Sequence, residues 1–343
     1  MNRQNTYEKM RILIIDLLNI GDLLFISPAL RCLRAAYPKA QIDALVTMQF
    51  QEVLSDNPNI DRIIGMDKFG YHKSARHFLE LTNELRASGY DMAIDFHGCS
   101  KSMLLALMSG AKRRVGMAAD SCRIFYHQPV KQLTSVHRVE SYLDMIRKLN
   151  IPAVDCGGME MHISAQSQES ADKKWDEAGI STDSPVIGLN PGARVQQRQW
   201  PAVKWIELTD MLYASGLKCV LFGGPGDVDI ATEISTNTKR PLSVFAGKLT
   251  LQELAAMIAK CAVFVTGDTG PMHIAAAYKI PTVALFGPAD PNITGPYKVR
   301  NIVCKSDDPC PGCLQHSTDA RLHTCMNSIN AEEVTDSIKT LLL

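Results

Sequence analysis

The segment Gly267-Asp268-Thr269-Gly270 closes a short apolar run, Val263-Phe264-Val265, and opens a helix at Pro271. Proline in a first helical turn loses no hydrogen bond, and glycine without a Cβ lets a ligand approach the backbone. N–H groups at the positive end of a helix dipole favour an anion there, and His273, two residues further on, adds a side-chain donor. The arrangement suits the holding of a diphosphate, which points to a nucleotide-linked donor. Asp268 also fits a plain helix cap in a turn that binds nothing.

Other polar residues follow apolar runs in the same way. Asn19-Ile20-Gly21-Asp22 comes after the first run, at the strand end where α/β sheets place their active sites. Asp22 there is either a base for a sugar hydroxyl or the cap of the next helix, and the helix dipole keeps it ionised in both roles. Asn190-Pro191-Gly192 closes a later run, and the loop from there to Pro201 carries Arg194 and Arg198. Their planar guanidinium forks suit phosphate oxygens, although solvated loops also expose arginine. Phe222-Gly223-Gly224-Pro225-Gly226-Asp227 ends another strand; Asp227 is placed to reach a ribose hydroxyl or to partner a helix dipole. Asp227-Val228-Asp229 spells a DxD string, but it opens a helix and is read as no metal site. Asp95 and His97 sit at a further sheet edge, either lining an acceptor or forming a hydrogen-bonded core pair.

The elements that position these residues form two successive series. The first is expected as strand Arg11–Leu17, helix from about Asp22 to Ala36, strands Gln41–Val46 and Asp61–Gly65, helix Ser74–Ala87, strand Asp91–Asp95, helix Lys101–Met108, strand Arg113–Gly116 and a helix from about Arg138 to Leu149. The stretch after Asn150, with Pro152 and Gly157-Gly158, reads as the domain joint. The pattern restarts with strand Val186–Asn190, helix Pro201–Ala214, strand Lys218–Phe222, helix Asp227–Ser235, strand Ser243–Phe245 and helix Leu251–Ala259, then the Val263–Pro291 segment. Alternation of this kind implies parallel strands with right-handed crossovers. The expected fold is α/β, with two Rossmann-like domains, residues 1–165 and 166–343, facing each other across a cleft. The amphipathic terminal helix from Ala331 is free to cross back to the first. Neither half shows GxGxxG after its first strand, which argues against a dinucleotide oxidoreductase.

Composition narrows the class. The chain has 343 residues, 46% apolar and 21% charged, enough to bury a large core. Lys plus Arg and Asp plus Glu both total 36, so no net bias draws it to nucleic acid. Locally, Gly98–Arg138 holds Lys101, Lys112, Arg113, Arg114, Arg123, Lys131 and Arg138 against Asp120 alone, which suits either a solvated face or an anionic acceptor or lipid surface. No window has the length of a membrane span, so a cytoplasmic location is expected. Of ten cysteines, six are scattered singly, unlike a disulfide framework. Cys304, Cys310, Cys313 and Cys325 lie near His316 and His323, but without a second CxxC or HxxxH pair they read more simply as reduced structural thiols than as a zinc site.

Taken together these pieces resemble glycosyltransferase family 9, the ADP-heptose:lipopolysaccharide heptosyltransferases. The marks are IGDLLFISPALRCLR from Ile20, NPGARVQQRQWP from Asn190, FGGPGD from Phe222, TGDTGPMHIAAAYKIPTVALFGPADP from Thr266, and Gly295-Pro296-Tyr297. The resemblance implies a GT-B fold, the first domain for the acceptor and the second for the nucleotide sugar, and an inverting transfer without metal or other cofactor. It gives Asp22 the role of catalytic base and puts Arg198 on the donor phosphates. Thr269, Gly270 and His273 would take the diphosphate, with Asn190, Gly192, Arg194, Asp227 and Pro271 beside them, and Asp268 would hold the donor sugar. A lipid-linked anionic inner-core glycan is the implied acceptor, met by His97, Lys101, Arg113 and Arg114, with peripheral contact at the inner face of the membrane. One departure stands out: the family often has Lys or Arg where this chain has Asp16. A nucleotide-sugar epimerase and a non-catalytic nucleotide-binding protein are the competing functions, since both use the same scaffold.

Overall fold

The computed structural model describes residues 10–118, 124–154, 157–181, 183–193, 199–287, 289–306, 310 and 324–343. The chain divides into two compact units between His162 and Ile163. In the first, strands β1 (Arg11–Asp16), β2 (Gln41–Thr47), β3 (Arg62–Met66), β4 (Met92–Asp95), β5 (Arg113–Met117) and β6 (Gln128–Val130) form one sheet in the order β3-β2-β1-β4-β5-β6. Every pairing in it is parallel. Among the described residues the α-helices of this unit are α1 (Ile20–Phe25), α2 (Ser27–Ala36), α3 (Ala75–Ala87) and α4 (Ser100–Met108) between strands, and α5 (Arg138–Arg147) after β6. β1 is a continuous apolar run because neighbours on both sides and helices on both faces leave it no solvent-facing positions; Ile12, Leu13, Ile14 and Ile15 are fully buried.

The expected single helix from Asp22 to Ala36 is two helices that break at Ile26. Pro28 has no N–H to give to the carbonyl of Leu24, four residues back. The Ser27 hydroxyl donates to that carbonyl instead, at 2.6 Å. The interruption is local: Ile26 keeps helical φ and ψ, its N–H donating to the Asp22 carbonyl and its own carbonyl accepting from the Leu30 N–H.

The second unit repeats the plan. β7 (Val186–Asn190), β8 (Lys218–Leu221), β9 (Ser243–Val244), β10 (Val263–Gly267), β11 (Thr282–Phe286) and β12 (Asn301–Lys305) are ordered β12-β11-β10-β7-β8-β9, again all parallel. Its helices are α6 (Ala165–Glu177), α7 (Ala202–Ala214), α8 (Val228–Asn237), α9 (Leu251–Ile258), α10 (Gly270–Ala277), α11 (Pro291–Thr294) and α12 (Ala331–Leu342). Numbered from its own first strand, this sheet has the same order as the first. In each, the order reverses between the first and fourth strands, β1/β4 and β7/β10, and the crevice left there is where open α/β sheets bind ligands.

Two edge strands, β6 and β12, were not expected from the sequence. Gln128-Pro129-Val130 is short and contains a proline, tolerated because an edge strand has one row of unpaired N–H groups. The terminal helix α12 packs in the core of the second unit. Val334, Ile338 and Leu341 belong to the second unit's core with Ile187, Trp205, Leu208 and Val283. Trp200 fastens the approach to that helix, its indole N–H donating to the Ile329 carbonyl at 3.0 Å and its ring meeting Trp205 edge-on. Ile338 is fully buried, so Ile338→Ala is expected to destabilise the second unit by about 2–5 kcal/mol in denaturant unfolding. A loss under about 1 kcal/mol, typical of exposed positions, would contradict this packing.

Candidate active site

At the first switch point, the C-terminal ends of β1 and β4 lie side by side, with Ile15 in register with Asp95. Both strands end in a carboxylate. Asp16 and Asp95 are fully buried, and they are satisfied very differently. Asp95 accepts the His97 and Gly98 N–H groups on Oδ1, at 2.9 and 3.1 Å, and the Tyr126 hydroxyl on Oδ2 at 2.5 Å. Asp16 accepts the Leu18 N–H on Oδ1 at 2.9 Å, whereas its Oδ2 is buried with no hydrogen-bond partner among the described residues. Gly98 makes the turn after β4 possible: its φ is +68°, and a Cβ there would sit 2.0 Å from the Met117 carbonyl oxygen.

The chain after β1 is pinned by its neighbours. The Thr47 hydroxyl and the Lys68 ammonium both donate to the Leu17 carbonyl, at 2.9 and 2.6 Å. Asn19 then caps α1, and its N–H donates to Asp22 Oδ2 at 3.3 Å. The His137 ring meets Phe25 of α1 edge-on at 5.3 Å and caps α5 through the Val139 N–H, which brings Arg138 to Asp22. Asp22 is partly exposed at this edge.

Electrostatically, this is a crowded acidic site. Burial pushes the Asp22 carboxyl above the usual range, opposed by the Asn19 N–H and by the charges of Arg138 and His97. Burial and then the Asp22 charge push Asp16 well up. Asp95 is also raised by burial, against its several donors. His97 and Cys99 form a pair with Sγ 3.6 Å from Nδ1. Burial disfavours charge on both, yet their mutual hydrogen bond and nearby charges outweigh it. The imidazole is raised and the thiol is brought down to about 6.

The second switch point carries neutral polar residues. Thr266 is in register with Asn190. Asn190 Nδ2 donates to the hydroxyls of Thr266 and Thr269, at 3.1 and 3.4 Å, and those hydroxyls are 3.0 Å apart. This net ties β7 to β10 and to the start of α10. Thr269 is the N-cap residue of α10, but its hydroxyl makes no cap bond to the helix, being turned to Asn190 and Thr266. The first-turn N–H groups, at Gly270 beside Pro271, therefore receive no oxygen from the Thr269 side chain, and Asp268 precedes them. His273 is 4% exposed on α10. Gly192 and Gly223 make room for Asp227: a Cβ on Gly192 would lie 2.2 Å from its Oδ2. Asp227 accepts the Gly224 N–H at 2.8 Å, and burial raises its carboxyl against that bond.

The structure therefore brings Asp22, His97 and the exposed Lys101 to the edge of the first sheet, and Asn190, Gly192, Asp227, Asp268, Thr269, Gly270, Pro271 and His273 to that of the second. It does not bring Arg113 and Arg114 to the expected acceptor side. They begin β5, in register with Met92 and Ala93 at the start of β4, so they lie at the opposite end of the sheet. Arg113 there donates to Gln128, Arg114 to the Phe125 and Ala111 carbonyls, and Lys112 pairs with Asp91. The basic stretch is thus split between two ends of the sheet. Arg194, Arg198, Arg123, Cys313, His316 and His323 lie outside the described residues. Cys304, Cys310 and Cys325 are buried in the second unit's core. The sequence reading named Arg138 only within its basic stretch and missed Tyr126, Tyr142 and Cys99 as site residues, because helix capping and chain reversal bring them in from a distance.

Two Rossmann-ordered sheets, one ending in carboxylates and the other in a polar, glycine-lined helix start, define a GT-B-type α/β enzyme. The sequence profile of glycosyltransferase family 9 (heptosyltransferase) matches residues 78–322, and the chain belongs to that family and is a glycosyltransferase. It is 28% identical over 349 residues to lipopolysaccharide heptosyltransferase 2 of Escherichia coli K12, covering 97% of this chain and 99% of that one. A family 9 glycosyltransferase from Veillonella parvula superposes with a TM-score of 0.90 at 28% identity, over 97% of each chain. The E. coli ADP-heptose LPS heptosyltransferase II gives 0.77 at 26% identity, over 97% of this chain and 98% of that one.

Because the fold disfavours the charged form of Asp22, the folded state binds its proton more tightly than the unfolded chain does. Its contribution to stability is complete below the ordinary carboxylate range and is lost as pH rises through the folded value. Asp22→Asn is therefore expected to raise the thermal midpoint at neutral pH by about 2–4 °C, the gain vanishing below about pH 4. A lower midpoint for the variant at neutral pH contradicts the desolvated placement.

Proposed function

We propose that the protein transfers a heptose from an ADP-sugar to a lipid-linked, anionic inner-core glycan of lipopolysaccharide, with inversion and without a metal ion. The observation that carries the reading is Asp22: a partly exposed carboxylate at a switch point, held by the Asn19 N–H and pushed by burial toward taking up a proton. The acceptor hydroxyl attacks the anomeric carbon from the face opposite the leaving group. Its proton goes to Asp22, and the bond to the diphosphate oxygen breaks with both electrons leaving on ADP. The start of α10 supplies N–H groups and the positive dipole end to the departing diphosphate, the part a divalent cation plays in other transferases. Arg198 is assigned to the donor phosphates from its place in the sequence, with Arg194 beside it, and Asp268 and His273 flank the same helix start. Asp227 is the candidate for the ribose.

The donor assignment draws on the E. coli relative, an ADP-heptose LPS heptosyltransferase. The acceptor assignment draws on the lipopolysaccharide heptosyltransferase 2 similarity and on Lys101, His97 and Arg138 at the first sheet's edge. Among the described residues no helix is long and apolar enough to cross a membrane, so the lipid-linked acceptor would be met by peripheral contact at the cytoplasmic face. Asp22→Ala is expected to lower kcat/KM for transfer by about 10²–10⁴ while the affinity for ADP-heptose changes little. Near-normal turnover in this variant removes Asp22 as the base.

A further inference from the structure

The buried Asp16 side chain has a chemistry that the proposed transfer leaves unused. It ends β1, is fully buried, and offers one oxygen to the Leu18 N–H while the other meets no donor among the described residues. An ionised carboxylate so placed keeps its charge in a low-dielectric interior with half its acceptor capacity empty, which is costly unless a proton is taken up. Asp95 on the neighbouring strand shows the alternative, with Tyr126, His97 and Gly98 all donating to it.

The surroundings of Asp16 have both signs of charge. Asp22 faces it from α1, Asp95 and His97 from the end of β4, and Tyr142 from α5. Lys68 comes from beyond β3 to the Leu17 carbonyl, and Arg138 acts on Asp22. Among the described residues, His97 and Arg138 both act on Asp22, and His97 also acts on Asp16. Asp22 is the partly exposed member and is held by the Asn19 N–H, so it ionises first.

We propose that Asp16 is a positioning residue for the base, a proton-holding partner of Asp22 whose own ionisation strengthens Asp22 as a proton acceptor. The inference rests on the assignment of Asp22 as base. Two interacting carboxyls lose their protons in two steps that belong to the pair. With Asp16 neutral, Asp22 is ionised and takes the acceptor proton. Once Asp16 ionises, a second negative charge nearby makes Asp22 hold that proton more strongly, and transfer speeds up. Asp16 exchanges no proton with substrate, and the acceptor's proton resides on Asp22 in either state. Burial and the Asp22 charge both act in the direction this ordering needs.

The test compares pH profiles of kcat/KM for the wild type and Asp16→Asn, with Asp22→Asn alongside. The ratio of wild type to Asp16→Asn is expected to climb with pH by about tenfold, since a like charge shifts a neighbour by about a unit or more. A ratio that stays flat overturns the inference. If Asp22→Asn abolishes transfer and the ratio is flat, this inference alone fails; if Asp22→Asn retains turnover, the base assignment fails with it. A second measurement covers a variant that does not fold. Carboxyl carbon NMR of aspartate-labelled wild-type protein is expected to show an aspartate titrating well above the ordinary carboxylate range, and that titration should move down in Asp22→Asn. Full ionisation of every aspartate at mildly acid pH, or an upper titration that does not move, overturns the coupling.

Discussion

The reversal of strand order in each sheet is the constraint on which the rest of the molecule depends. Between β1 and β4, and again between β7 and β10, the strand order reverses, and the crevice at such a reversal is where open α/β sheets bind ligands. Polar residues sit at those ends: Asp16 and Asp95 close β1 and β4, Asn190 closes β7, and Thr266 is opposite Asn190, just before Gly267 at the end of β10. Everything nearby serves to satisfy or exploit those four polar groups.

The two units solve that problem with different chemistry. The second neutralises its switch point, with one amide and two hydroxyls bonded to one another, and this fixes the start of α10 without placing charge against an incoming anion. The first keeps acids close together with too few donors. The result is a set of carboxyls displaced toward protonation, a poor arrangement for stability and a useful one for a base. A charged diphosphate suits the neutral switch point of the second unit, and a hydroxyl to be deprotonated suits the acids of the first.

The sequence made the central strands plain, because β1, β7 and β11 are unbroken apolar runs that only a doubly covered parallel strand requires. Motifs at strand ends were legible for the same reason: Asn190 closes β7, Thr269 stands in the turn after β10, and Asp22 lies in the first helix after β1. Edge strands were not, since β6 and β12 have mixed polarity and weaker demands on composition. The break at Ile26 was written in Pro28, but its consequence depended on Ser27 replacing the missing donor. Arg113 and Arg114 show the limit of reading charge along a chain. Basic residues contiguous in sequence fall at the start of a strand, a full strand length away from the acids they were expected to serve. Arg138 and Tyr142 reach the acids from α5, a placement fixed by packing of His137 on Phe25 rather than by local pattern.

The most direct test of the division of labour between the units is incubation of the purified chain with ADP-heptose in EDTA, with and without a phosphorylated inner-core lipid acceptor, followed by NMR of the sugar. The account predicts that ADP appears only with acceptor, and that the product's anomeric centre is inverted relative to the donor. Retention of configuration, a strict need for added divalent cation, or alteration of the donor sugar in the absence of acceptor would contradict it.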